Sequence, residues 1–238
     1  MSMEKSAGQL YFNATGLCGA NKGNENDIEV QRMFNIYNAA MRVISTRLEI
    51  LESDFRLTRK HNPIHHMDCR LKSSGSILRK LEQRGLDCAL SNITRNIFDV
   101  VGLRIVCPYL EDVYAVAELL LRQDDITLLQ KKDYIKNPKP NGYRSMHLVV
   151  LAPVALCHGT EQVPVEIQIR TIAMDMWASL EHELCYKAEG KSDAQTHESL
   201  LDCSKKLAAI DAQMGEMFQA RKRVEGTDAP RLLKVAQR

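Results

Sequence analysis

In the segment VPVEIQIR (163–170) apolar residues stand at every second position, and from Glu166 onward they alternate with polar ones. With a side-chain period of two it reads as a strand, with Val163, Val165, Ile167 and Ile169 on one face and Glu166, Gln168 and Arg170 on the other. Half-exposed strands commonly alternate in this way. The polar face is therefore either solvated or a site, and the other segments have to decide.

Two long apolar seams bracket this strand. Val30, Phe34, Tyr37, Met41, Ile44, Leu48, Leu51 and Phe55 recur in steps of four and three, and so do Leu200, Cys203, Leu207, Ile210, Met214 and Met217. Each is the stripe of a long amphipathic helix. Such a stripe ordinarily packs on its own domain, although it can also bury itself in a homo-oligomer. Residues 1–27 are rich in Gly, Asn and Ser without an apolar period and read as a mobile lead-in. Residues 223–238 are basic, interrupted by Gly and Pro, and read as a loose tail. That leaves 28–222 as one domain of a 238-residue chain.

Between the seams, GLRIVCPY (102–109) reads as a strand stopped by Pro108, and EDVYAVAELLLRQ as a helix with Val113, Val116, Ala117 and Leu120 inward. ITLLQKKDYI and SMHLVVLAPV read as strands joined across an Asn141-Gly142 turn, and TIAMDMWASLEHELCYK as a helix after the strand beginning at 163. This mixture, with an antiparallel hairpin inside it, indicates an α+β domain with a mixed sheet. Lys plus Arg number 32 against 30 Asp plus Glu, a net charge of +2. A chain so nearly neutral makes no case for coating nucleic acid or an anionic membrane, and an anionic partner must be met locally. No stretch approaches the roughly 18 apolar residues of a membrane span, and the N-terminus lacks the apolar run of a signal peptide. Seven cysteines without a C-x-x-C pair fit reduced thiols in a cytosolic protein.

Cations concentrate in two places. CRLKSSGSILRKL (69–81) carries Arg70 and Lys72, then Ser76 and Lys80 four apart on one face of a short helix. The N-terminus of such a helix suits a phosphate, though a solvated basic helix has the same composition. Residues 131–144 hold Lys131, Lys132, Lys136, Lys139 and Arg144 against Asp133 alone. Highly charged phosphates would account for that excess, as would an edge hairpin decorated against aggregation. Tyr143 can stack on a base or fill a cross-strand pair. Asp99, just before a strand, and Glu166 can together hold a hard divalent cation. By strand parity Asp99 and Arg104 point to opposite faces, and only a bulge, for instance at Gly102, would bring them together. Other motifs fail on spacing: neither G-x-x-x-x-G-K-[ST] nor G-x-G-x-x-G is present, and HELCY (182–186) has Tyr186 where a zinc-protease helix needs its second histidine. Trp177, on an apolar helix, reads as core.

In order, CRLKSSGSILRKL, FDVVGLRIVCPY, KKDYIKNPKPNGYRSMH, PVEIQIRT and AMDMWASLEHELCYK resemble the successive motifs of the RelA/SpoT-type alarmone synthetase domain. The resemblance runs from the first seam to the second and leaves no room for hydrolase or regulatory domains. It is thus to the small alarmone synthetases, in particular those known as RelQ, and it makes 28–222 a synthetase domain.

The resemblance implies a mixed five-stranded sheet of the nucleotidyltransferase type, flanked by helices. It also implies Mg²⁺-dependent transfer of the β,γ-diphosphate of ATP to the 3′-hydroxyl of GTP or GDP, giving AMP and the (p)ppGpp of the stringent response. Carried over by position, Arg70 and Arg104 would sandwich the adenine, Lys72, Ser76 and Lys80 would hold the ATP phosphates, and Asp99 and Glu166 would hold Mg²⁺ at the catalytic centre. Tyr143 would stack on guanine, with Lys132, Lys139, Asn141, His147 and Gln168 near the acceptor nucleotide and the transferred phosphates. Asp175 stands where some small synthetases have asparagine near the guanine edge, and aspartate can accept from the N1 and N2 donors. Gln130 stands where several have a basic residue. A cytoplasmic homotetramer is also implied, with a product or RNA effector that the sequence does not locate.

Two nucleoside polyphosphates together carry a charge of about −8, so a metal and convergent cations must offset their repulsion before a hydroxyl can approach phosphorus. Glu166 would orient the metal and accept the 3′-hydroxyl proton, with in-line placement supplying much of the rate. Two other readings use the same residues. The acceptor could be an adenine nucleotide or the tRNA 3′ end, or the groove could serve a non-catalytic nucleotide or RNA sensor. A pure sensor needs no pair of metal ligands.

Overall fold

The computed structural model describes residues 25–58, 61–186 and 194–224. The expected lead-in and tail lie outside these residues except at their inner ends, which are helical. The first seam forms α1 (Glu25–Thr58). Val30, Phe34, Tyr37, Met41, Ile44, Leu48 and Phe55 are buried along it, so this stripe packs on its own domain.

After α1 come β1 (His66–Leu71), α2 (Ser74–Gln83), α3 (Leu90–Asn96), β2 (Val101–Cys107) and α4 (Leu110–Leu121). Then follow β3 (Thr127–Asp133), β4 (Met146–Leu156), β5 (Gly159–Thr171), α5 (Ile172–Tyr186) and α6 (Ala194–Val224). The five strands form one sheet in the order β1-β2-β5-β4-β3, with β2 and β5 parallel and the other pairs antiparallel. This is the mixed five-stranded sheet expected from the resemblance. Leu103, Ile105, Met146, Leu148, Val150, Val165, Ile167 and Ile169 are buried on one face. There α1 packs on β1, β2, β4 and β5, and α4 packs on β2 and β5 through Val113, Val116, Ala117 and Leu120. The opposite face is left for polar residues.

Several local expectations are corrected. Asn141-Gly142 is not a two-residue hairpin turn, because pairing between β3 and β4 stops at Asp133 and Met146. Instead the Gly142 N–H donates to the Lys139 carbonyl, closing a β-turn with Pro140 in its second position inside a longer loop. The two-residue connection lies elsewhere, at Cys157-His158, and it starts β5 four residues before Val163. β1 was not legible as a strand. It is an edge strand with only Met67 and Leu71 packed against the core.

The second seam also differs. On α6 the side chains that face the domain include Leu200, Ser204 and Asp211, whereas Cys203, Ile210, Met214 and Met217 are exposed. Trp177 is core as expected, and its indole N–H donates to the Leu200 carbonyl at 2.8 Å. Cys69, Cys107, Cys157, Cys185 and Cys203 carry free thiols, but Cys88 is disulfide-bonded, against the expectation of reduced thiols. Among the described residues no helix is long and apolar enough to cross a membrane.

Candidate active site

Strand register builds the site. On the polar face, cross-strand pairing aligns Arg70, Gly102, Glu166, Val149 and Gln130 in one row across all five strands. The next row is Asp68, Arg104, Gln168, His147 and Lys132. Four of the expected site residues thus share one row although they come from four strands. Nothing lies within 4 Å of where a Gly102 side chain would project, so open space is kept between Arg70 and Glu166.

Asp99 precedes β2, so strand parity never applied to it, and the pairing of β2 with β5 runs from Gly102 to Cys107 without a bulge. Its carboxylate meets Lys72 Nζ at 2.6 Å through Oδ2 and Lys80 Nζ at 2.7 Å through Oδ1. Lys72 is in place because its backbone N–H pairs with the Val100 carbonyl, and Lys80 because it lies on α2. Burial pushes the Asp99 carboxyl up, but the two ammonium groups outweigh burial and hold it below its ordinary value. Ser73 caps α2 by accepting from the Ser76 N–H, and its hydroxyl donates to Ser76 Oγ at 2.9 Å. Ser76 and Lys80 therefore share a helix face near a positive helix end, as the spacing indicated.

Glu166 is tied on both oxygens: His147 Nδ1 lies 3.3 Å from Oε1, and the Gln168 amide donates to Oε2 at 3.0 Å. Burial raises its carboxyl, but His147 and Gln168 prevail over burial and over the nearby Asp99 charge, leaving it below its ordinary value. Both carboxylates are consequently ionised at neutral pH.

The fit of a divalent cation rests on Asp99 Oδ1. That oxygen is buried and makes an ion pair with Lys80 but no hydrogen bond of acceptable geometry, so it keeps ligating capacity. Among the described residues no group of three or more His, Cys, Asp and Glu side chains forms a metal cage. Two carboxylates with room for phosphate oxygens suit Mg²⁺, which takes one or two protein carboxylates beside waters and substrate.

The basic run divides. Lys139 Nζ stands 4.8 Å from the ring centre of Tyr143 and 4.9 Å from that of Tyr134. Lys136 turns away to Tyr114, and Arg144 lines a small cavity with Trp177, Ser204 and Asp211. The Tyr143 hydroxyl is 2.7 Å from His147 Nε2 and accepts from Arg170 at 2.6 Å. Asn141 holds the turn: its side-chain oxygen accepts from the Tyr143 N–H and its amide donates to Glu181 at 3.2 Å. Arg170 was placed on this face by strand parity but not among the site residues. It is 6 % exposed and also donates to Gln168 at 2.8 Å and Asp175 at 3.2 Å. An arginine closing the polar face of an alternating strand was the signal that could have found it.

A mixed sheet whose open face gathers two ionised carboxylates, a capped helix end and converging cations is the kind of surface that suits polyphosphate ligands. Residues 69–191 match the family described as "Region found in RelA / SpoT proteins". The chain is 39 % identical to GTP pyrophosphokinase YwaC of Bacillus subtilis over 75 % of this chain and 85 % of that protein. It is 35 % identical to GTP pyrophosphokinase YjbM of the same organism, over 80 % and 89 %. Small alarmone synthetase 1 from Bacillus subtilis, solved bound to its product pppGpp, superposes with a TM-score of 0.74 at 34 % identity, covering 84 % of this chain and 99 % of that one. The chain belongs to the RelA/SpoT family.

Proposed function

We infer that this chain is a GTP pyrophosphokinase, an ATP:GTP 3′-diphosphotransferase that makes (p)ppGpp and AMP. The observation that carries the inference is the pair Asp99 and Glu166, both ionised and near enough for their charges to interact, with Asp99 bridging Lys72 and Lys80 and Glu166 beside the open space at Gly102. Relatives that align over most of this chain are GTP pyrophosphokinases. A pure nucleotide sensor would need no such pair of carboxylates.

Arg70 and Arg104 flank the strip and would take the adenine, while Lys72, Ser76 and Lys80 would take the ATP phosphates. Tyr143 would stack on guanine, with Lys132, Lys139, His147 and Gln168 around the acceptor and the transferred phosphates. Asn141 acts mainly by holding the Tyr143 turn. Asp99 and Glu166 would hold a divalent cation, Mg²⁺ in our reading, which when bound supplies Lewis-acid neutralisation of the phosphoryl oxygens. Glu166 also accepts the hydrogen bond of the 3′-hydroxyl. Its lowered proton affinity makes it an orienting acceptor more than a strong base.

The exposed apolar side chains Ile172, Met176, Leu180 and Leu184 recur every four residues on α5, and Ile210, Met214 and Met217 are likewise exposed on α6. They support a homo-oligomer, a tetramer in our reading. We place the enzyme in the cytoplasm, where its nucleotide substrates are. Incubation with ATP, GTP and Mg²⁺ should yield AMP and guanosine pentaphosphate in equal amounts. No product across metals and effectors would refute the assignment, and product only with an adenine nucleotide or tRNA offered as acceptor would redirect it.

A further inference from the structure

Asp175 lies in the first turn of α5, and a single oxygen of its carboxylate serves two arginines. Oδ1 accepts from Arg170 Nη1 at 3.2 Å and lies 3.4 Å from Arg104 Nη1. In the proposed reading the two arginines serve different nucleotides. Arg104 is on β2, one row from Arg70, and Arg170 is on β5 with its other nitrogen on Tyr143 and Gln168. The Arg170 side chain is 7 % exposed and Asp175 17 %, and the Nε of both arginines is buried without a partner. Two guanidinium ions this close repel, and in a partly desolvated place the shared carboxylate offsets that repulsion.

We propose that Asp175 is a positioning residue for the donor nucleotide: it holds the Arg104 guanidinium where it stacks on the adenine of ATP, while fixing Arg170 beneath Tyr143. Stacking depends on where the guanidinium sits, and an ion pair at one nitrogen limits its position. The idea rests on the reading that Arg104 meets adenine. It differs from a role confined to the guanine edge, which would leave donor binding untouched.

Charge alone makes the opposite forecast, which gives a clean test. Removing a carboxylate from a site for polyanions should tighten every triphosphate. Calorimetry with Mg²⁺ would compare a non-hydrolysable ATP analogue with inorganic tripolyphosphate, which has no base, on wild type, Asp175→Asn, Arg104→Ala and the double variant. Asp175→Asn should weaken the analogue about tenfold, the scale of one cation–π contact. Tripolyphosphate should bind as well as before or better, and Asp175→Asn should add nothing in the Arg104→Ala background. Unchanged or tighter analogue binding in Asp175→Asn, or an equal loss when Arg104 is already absent, overturns the proposal. Thermal unfolding checks the fold, and Asp175→Ala replaces Asp175→Asn if the latter fails that check. A wild type whose preference for the analogue survives Arg104→Ala would overturn the adenine reading and this proposal together. A preference lost in Arg104→Ala but kept in Asp175→Asn overturns this proposal alone.

Discussion

The Ser204 hydroxyl on α6 donates to the carbonyl of Gly142 at 2.5 Å, pinning the loop that carries Tyr143 against the C-terminal helix. Gly142 has φ +94°, and a Cβ there would lie 2.8 Å from the Ser204 Cβ. Gly142→Ala should therefore cost about 1–3 kcal/mol from backbone strain alone. Urea unfolding would measure the loss, with a rise in KM for the guanine nucleotide beside it. Wild-type stability in the variant would mean that the loop is not docked on α6.

Tyr143 is reached by Lys139, His147 and Arg170, so its ring is fixed before any base arrives. Tyr143→Ala should weaken the guanine nucleotide roughly 5- to 150-fold, the range of about 1–3 kcal/mol for one stacked base, and leave ATP within about twofold. Tyr143→Phe keeps the ring but frees His147 and Arg170, and should lie between the two. Equal losses for both nucleotides would place Tyr143 outside the acceptor site.

Asp99→Asn and Glu166→Gln should each lower diphosphate transfer by at least about 10²- to 10³-fold while leaving the far-ultraviolet circular dichroism unchanged. Each should also raise the Mg²⁺ concentration needed for half-maximal rate. Full activity in either variant would remove that residue from the metal-holding role.

Acid should affect three carboxyls differently. Asp99 and Glu166 bind protons less readily folded than unfolded, so their stabilisation is present above the ordinary value of about 4 and is lost as pH falls through their lower folded values. Asp211 runs the other way. Burial raises it more than the hydrogen bond from Thr171 and the charge of Arg144 lower it, so it costs stability as pH rises past about 4. Asn can still accept from Thr171. Asp211→Asn should thus match or exceed wild-type Tm at pH 7 and lose that advantage below about pH 4. A lower Tm at pH 7 would show that the Arg144 attraction outweighs burial.

The apolar row on α5 should be covered in solution. Multi-angle light scattering should return a multiple of the chain mass, and Leu180→Asp should shift it toward one chain. A wild type that is already monomeric would refute the oligomer.

Much of the site was legible because its chemistry is written in local patterns. Alternation put Glu166, Gln168 and Arg170 on one face, and the i, i+4 spacing put Ser76 and Lys80 on one turn of helix. β1 escaped because on an edge strand only Met67 and Leu71 are partly buried, too few to give a period. On α6 periodicity could not choose between packing on the domain and packing on another copy, because exposed apolar residues repeat with the same period as buried ones, while its packing face carries the polar Ser204 and Asp211.

What the sequence determined by itself was the class of domain, the two carboxylates and the cations, since residue type and short-range periodicity follow from local geometry. Only the tertiary structure decided which of them meet. Strand order and register are properties of pairs distant in the chain. They alone align Arg104 with Gln168, His147 and Lys132, free Asp99 from strand parity, divide the basic run, and join Arg104 to Arg170 through Asp175.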